Sequence, residues 1–276
     1  MTRRWLVTGC SSGLGRALAA AAADAGDTVV VTARRPADLD ELVRSRPDRL
    51  LPVALDVRDG AQCEAAVAHA VERLGGLDVL VNNAGNGVFG AVEEVTDGEL
   101  RDQLETLVVG PWRLAGLVLP LMRAQGGGHI LNVSSLAGRM AFPGLAAYVT
   151  GKYALEGMTQ ALAAEAAPFG VRVTALEPAG YATRYGTSLA DAAGRSPLYA
   201  PFTDPMRGLL GSMVEGPTVG RPEDFARLVL RIVAEPGPLP VRIPVGPGSQ
   251  DFVAAVQVAA AEELAAARAL LDAGPA

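Results

Sequence analysis

Trp5-Leu6-Val7-Thr8-Gly9-Cys10-Ser11-Ser12-Gly13-Leu14-Gly15 stands near the start of the chain, followed by Arg16 and a run of alanines. A short apolar run breaks at a glycine-rich turn and passes into helix formers, which is how a strand hands over to a helix. Glycines let the backbone pass close to a bound group, and the helix N-terminus behind them presents free N–H donors and a positive dipole end. Gly9, Ser11, Ser12, Gly13, Leu14 and Gly15 therefore form a candidate pyrophosphate cradle. Its spacing is T-G-x-x-x-G-x-G, because Leu18 stands where G-x-G-x-x-G would need its last glycine.

The same residues also read as G-x-S-x-G, with Ser11 at the nucleophile elbow of an α/β-hydrolase. That alternative needs a histidine late in the chain, yet the two histidines are His69 and His129. The short strand before Gly9 also leaves no upstream loop to complete an oxyanion hole.

Outward from this turn, β-branched runs alternate with Ala/Leu-rich segments, the pattern of repeated βα units. Strands are expected over 5–8, 28–32, 51–55, 78–82, 129–134, 171–177 and 241–245, and helices near 14–25, 37–45, 60–74, 97–124, 147–167 and 222–234. Val29-Val30-Val31 and Val79-Leu80-Val81 are the continuous apolar runs of parallel strands buried on both faces. The expectation is an α/β fold, one domain over 1–276 built on a doubly wound parallel sheet of about seven strands flanked by helices. The stretch 181–221 breaks the rhythm with Gly, Pro, Met and aromatic residues and is expected to cover a substrate. The Ala-rich stretch 251–272 is expected to be a terminal helix.

Half of the 276 residues are hydrophobic and a fifth are charged, which excludes a disordered chain. A net charge of -6 and scattered arginines argue against nucleic acid. Cys10 and Cys63 are too few for a disulfide framework, and no His or Cys cluster has metal-ligand spacing. No secretory h-region follows Arg3-Arg4, and no apolar stretch is expected to approach membrane length, since Arg113 and Arg123 bracket Leu117 to Met122. These readings place the protein in the cytoplasm, with no membrane partner.

The end of the second strand selects the dinucleotide, with an acid suiting NAD and an arginine suiting the 2'-phosphate of NADP. The chain has Thr32-Ala33-Arg34-Arg35, so Arg34 and Arg35 point to NADP(H). Asp56, with Val57 after it, ends the third strand where it can cap a turn or touch adenine. Asn83, Ala84 and Gly85 end the fourth, where small residues admit a ligand.

Of 24 basic residues, Lys152 is the single lysine. A chain that otherwise uses arginine and keeps one ammonium needs that compact, rotatable donor. Tyr148 stands four residues earlier, on the same helix face, and Ser135 ends the fifth strand at the ligand-binding edge of the sheet.

Taken together, the T-G-x-x-x-G-x-G turn, Asn82-Asn83-Ala84-Gly85, Ser135-x12-Tyr148-x3-Lys152 and Pro178-x-Gly180-x-x-Thr183 resemble the short-chain dehydrogenase/reductase family over residues 5 to about 245. The resemblance implies a Rossmann-like fold and adds Pro178, Gly180 and Thr183 to the cofactor site. It implies Tyr148 as general acid toward a ketone oxygen, Ser135 as its hydrogen-bonding partner, and Lys152 as the residue that holds the nicotinamide ribose. It also implies a homodimer or homotetramer paired through the helices at 97–124 and 147–167.

Three positions depart from the family pattern: Leu107 where an asparagine is usual, Gly151 where serine usually precedes the lysine, and Ala179 in the Pro-Gly pair. Leu107 keeps open an alternative, a cofactor-binding relative with a non-redox or regulatory role. Phe89, Phe142, Tyr181, Tyr185, Tyr199, Phe202, Met206 and Met213 suggest a lipophilic substrate or part of the core.

Overall fold

The computed structural model describes residues 2–213, 216 and 218–272; part of the expected covering segment, at 214, 215 and 217, lies outside them. The strands are β1 (Arg4–Val7), β2 (Thr28–Ala33), β3 (Leu50–Ala54), β4 (Val79–Asn82), β5 (Val88–Phe89), β6 (Gly128–Val133), β7 (Val171–Pro178), β8 (Ala190–Asp191) and β9 (Arg242–Val245). Seven of them form one sheet in the order β3-β2-β1-β4-β6-β7-β9, and β5 pairs with β8 apart from it. Every pairing in the large sheet is parallel, with Trp5 opposite Val29 and Val79, and Asn82 opposite Asn132. The expected sheet is thus present. The small β5–β8 pair is additional, two residues long in each strand and too short to leave a periodic trace.

The helices are α1 (Gly13–Asp24), α2 (Asp40–Arg44), α3 (Gly60–Leu74), α4 (Asp97–Leu104), α5 (Gly110–Gln125), α6 (Ala146–Ala166), α7 (Tyr185–Ser188), α8 (Ala200–Ser212), α9 (Pro222–Ala234) and α10 (Ser249–Asp272). Local chemistry sets their ends. Asp59 accepts from the Gln62 N–H at the start of α3, and Thr96 and Glu99 form a capping box on α4. One sheet face is covered by α1 and α9, whose Leu18, Phe225 and Val229 pack on Trp5, Val7 and Val31. The other is covered by α3, α5 and α6, with Leu114, Val118 and Leu155 over Leu6, Leu80 and Ile130. Both edge strands carry a proline, Pro52 in β3 and Pro244 in β9, where a missing N–H costs the ladder least and discourages further pairing.

The expectation about membrane-length segments is corrected. Asp97–Gln125 is one continuous helical stretch of 29 residues, long and apolar enough by length and composition to cross a membrane. Two arginines do not lower its average below that mark. Its Leu114, Ala115, Val118 and Met122 are buried against the sheet. The helix widens into a π turn at Glu105–Val109, a feature common near functional sites. Strand order reverses between β1 and β4, so the C-terminal ends of these two strands open a crevice beside the glycine-rich turn.

Candidate active site

A cleft of about 610 Å³ runs along this edge of the sheet. Its floor on one side is the first turn. Gly9 has φ +73°, and a Cβ there would lie 2.8 Å from Ala84 Cα, so only glycine lets the turn lie on the end of β4. Thr8 Oγ1 accepts from the N–H groups of Asn83 and Ala84, both at 2.9 Å, and Asn83 Nδ2 donates to the Thr8 and Gly9 carbonyls at 2.8 and 3.1 Å. Gly15 serves this clamp from outside the cleft, because a Cβ there would fall 2.3 Å from Asn83 Nδ2.

Ser11, Ser12, Gly13 and Leu14 line the cleft. The Ser12 side chain makes no cap on α1, so the first-turn N–H groups of that helix stay free for an anion. Gly13, at φ +59°, brings the turn against Thr183, whose methyl would be 3.3 Å from an added Cβ. Bare glycines at closest approach and an uncapped helix end fit a dinucleotide pyrophosphate.

Of the two arginines after β2, Arg34 lines the cleft and Arg35 does not. Arg35 turns to Asp38 at 3.1 Å on the exposed surface, a departure from the expected pair. Asp56 and Val57 line the cleft, together with Arg58, which sequence reasoning missed. Arg58 Nη2 donates to Asp56 at 2.7 Å, and this bond holds the Asp56 carboxyl below its usual range. The neighbouring Asp-x-Arg spacing was the available signal. Asn83, Ala84, Gly85, Pro178, Gly180 and Thr183 line the cleft.

The opposite end holds the titratable group. Ser135 starts a short 3-10 turn, Leu136–Gly138, and its Oγ accepts from the Ala137 N–H at 3.1 Å. Tyr148 and Lys152 occupy one face of α6 and are 8% and 5% exposed. Lys152 Nζ donates to the Val133 carbonyl at 2.8 Å and lies 5.5 Å from the Tyr148 ring centroid. Burial pushes the Tyr148 phenol up, against the pull of the Tyr185 and Ser135 hydroxyls. Burial also brings the Lys152 ammonium down to about 8, with Glu156 opposing the fall.

The aromatic candidates divide. Phe142, Tyr181, Tyr185, Met206 and Met213 line the cleft, with Phe142 stacked on Phe252 at 6.2 Å between ring centroids. Phe89 is buried below Arg195 and Arg207, Tyr199 bonds Glu93 at the surface, and Phe202 is exposed. The Tyr185 ring stands 5.3 Å from that of Tyr148. The hydrolase alternative gains no histidine: His129 is buried at the far end of β6, bonded to Thr174 at 3.0 Å, and His69 is on α3.

The family model for short chain dehydrogenases matches residues 3–193. The chain belongs to the short-chain dehydrogenase/reductase family of oxidoreductases. An oxidoreductase of Botryotinia fuckeliana, BOA17, is 39% identical over 91% of this chain and 92% of its own. A 3-ketodihydrosphingosine reductase of Bacteroides thetaiotaomicron is 32% identical over 88% and 87%. Among solved structures, a short-chain dehydrogenase from Streptomyces avermitilis is 40% identical with a TM-score of 0.90, covering 99% of this chain and 98% of its own. A family member from Burkholderia phymatum in complex with NAD is 25% identical with a TM-score of 0.80 over 93% and 92%. An alcohol dehydrogenase from Thermococcus sibiricus, complexed with 5-hydroxy-NADP, is also 25% identical, with a TM-score of 0.72 over 88% and 95%.

Leu107 and Gly151, two of the three positions expected to differ from the family pattern, meet in space. Leu107 sits in the π turn at 1% exposure, and its side chain fills the place beside Gly151. A Cβ on Gly151 would lie 2.9 Å from Leu107 Cδ1 and 3.1 Å from its Cβ. A serine at 151 and a leucine at 107 would overlap.

Proposed function

We propose that the protein is an NADP(H)-dependent reductase that interconverts a ketone and a secondary alcohol on a lipophilic small molecule. The observation that carries this reading is the buried Tyr148–Lys152 pair, set beside Ser135 at one end of a cleft whose other end is the glycine cradle. Arg34 at the cleft rim, with no acid at the end of β2, supports the choice of NADP(H). The reductase named among the relatives supports the reaction class.

In this reading Gly9, Gly13 and the free N–H groups of α1 hold the pyrophosphate, and Arg34 takes the 2'-phosphate. The bound nicotinamide supplies or accepts the hydride. Tyr148 donates the proton to the carbonyl oxygen in reduction and takes it back in oxidation. Ser135 donates a hydrogen bond to the same oxygen and fixes its place. Lys152, held by the Val133 carbonyl, uses its remaining N–H groups for the ribose, and its charge favours the Tyr148 phenolate. Phe142, Phe252, Met206 and Met213 give the outer cleft an apolar wall.

The second reading, a cofactor-binding member without redox turnover, rests on Leu107, whose side chain offers no polar partner to a water. Exposed Trp112 on α5 and Tyr153 on α6, at 65% and 47%, support pairing of two or four copies through these helices. A cytoplasmic location completes the proposal. Mixing the protein with NADPH and a panel of ketones, and following cofactor oxidation, tests the reaction. Turnover supports the reductase; tight NADPH binding with no turnover across a broad panel favours the second reading.

A further inference from the structure

Ser135 is presented by a short stretch of chain that is tied down at both ends. Before it, the Ser134 N–H donates to the Leu176 carbonyl at 2.7 Å, the last bond of the β6–β7 pairing. After the turn, Arg139 donates from Nε and Nη2 to the two carboxylate oxygens of Glu177 at 2.6 and 3.0 Å. Leu176 and Glu177 are consecutive on β7, so the stretch 134–139 is a loop closed on two neighbouring residues of one strand. Inside it the Gly138 N–H donates to the Ser135 carbonyl and the Arg139 N–H to the Leu136 carbonyl, both at 2.9 Å.

The same ion pair reaches the helix that presents Tyr148 and Lys152. Arg242 Nε on β9 donates to Glu177 at 3.1 Å and to Glu156 on α6 at 3.0 Å. The turn lies directly on that helix, since a Cβ on Gly138 would come 2.8 Å from Glu156 Cγ and 2.9 Å from Ser134 Oγ. Arg139, Glu156, Glu177 and Arg242 all stay out of the cleft lining, and the Glu177 side chain is fully buried. Burying such a cluster adds little net stability, because desolvation offsets the attraction. What a two-pronged guanidinium–carboxylate pair supplies is a fixed geometry.

We propose that the Arg139–Glu177 pair is a clamp that sets the Ser135 hydroxyl relative to Tyr148, which makes Arg139 and Glu177 positioning residues of the active site. Ser135 and Tyr148 belong to separate elements, so no local hydrogen-bond pattern fixes their separation; the clamp joins the Ser135 turn to β7, and Arg242 joins β7 to α6. Its value to catalysis rests on the reductase reading, in which both hydroxyls must meet one carbonyl oxygen.

Arg139→Met alone leaves a buried carboxylate short of a partner and can unfold the chain. Arg139→Met/Glu177→Gln removes one charge of each sign and keeps the Arg242–Glu156 pair. This double variant should lower kcat for a ketone about tenfold and leave NADPH affinity unchanged. In a Ser135→Ala background, which lacks the hydroxyl being positioned, the same two changes should lower kcat by less than about twofold further. An unchanged kcat, a tenfold fall repeated in the Ser135→Ala background, or a matching loss of NADPH affinity overturns the proposal. The Ala137 N–H, which donates to Ser135 Oγ at 3.1 Å, gives a readout without turnover. Its hydrogen exchange should speed up about tenfold in the double variant while exchange along α6 stays unmoved. Unchanged exchange at Ala137 overturns the proposal. Faster exchange at Ala137 in a protein that reduces no ketone supports the clamp and counts against the reductase reading, so the two fail separately.

Discussion

Along the wall made by β1, α1 and β4, backbone forms the cleft surface: Gly9 and Gly13 lie at positive φ, and Asn83 ties the turn to the strand beside it. Behind the far wall, where the π turn packs on α6, the contact is made by buried side-chain volume, Leu107 against the bare Gly151. Backbone contacts tolerate no added atom, so the first wall keeps its family pattern. Side-chain contacts can be met by compensating pairs, as the bulky Leu107 and the bare Gly151 are here. The cofactor wall should therefore break under any single change, and the proton wall should yield to paired ones.

The largest effect should come from the chemistry itself. Tyr148→Phe removes the hydroxyl that carries the transferable proton and should lower ketone reduction roughly a thousandfold, while calorimetry shows NADPH affinity unchanged. Next is the cofactor wall, where Gly9→Ala meets both positive φ and the Ala84 backbone at 2.8 Å. It should cost about 2–4 kcal/mol of stability in thermal unfolding and weaken NADPH binding. An unchanged melting temperature would remove the backbone argument.

Lys152 supplies a pH signature. Its folded value is depressed to about 8 from 10.5, so between those values the unfolded chain binds more protons and stability rises with pH. Below about 8 the buried ammonium is a standing cost. Lys152→Met should therefore raise stability at pH 7 by roughly 2 kcal/mol, flatten the alkaline rise and abolish turnover. Denaturant unfolding at pH 7 and pH 10 measures this.

On the proton wall, Gly151→Ser alone should cost about 1–3 kcal/mol through overlap with Leu107, and much less when combined with Leu107→Asn. A double-mutant cycle showing simple additivity would separate the two departures again. Leu107→Asn should also speed ketone reduction without improving NADPH affinity, since it returns a polar partner for water. The smallest effect is at the rim. Arg34→Ala should weaken NADPH about tenfold, near 1.5 kcal/mol, and leave NADH nearly unmoved, whereas Arg35→Ala should change neither.

Sequence by itself determined the βα alternation, the glycine-rich turn and the Tyr148–Lys152 face, because these are written in local periods of two and 3.6 residues and in spacings within one element. The ends of helices were equally local, as with Asp59 and Thr96. Tertiary structure alone decided which of Arg34 and Arg35 faces the cleft, since residues adjacent at a strand end point apart. It also decided that Phe89 is core while Phe142 and Phe252 are cleft wall, and that a long apolar helix lies on a sheet. The same holds for Leu107 against Gly151, Tyr185 beside Tyr148, and Glu156 with Ser134 over Gly138. Each of these contacts joins elements far apart in the chain, and such partners are chosen by how layers stack and fill volume, which no local spacing records.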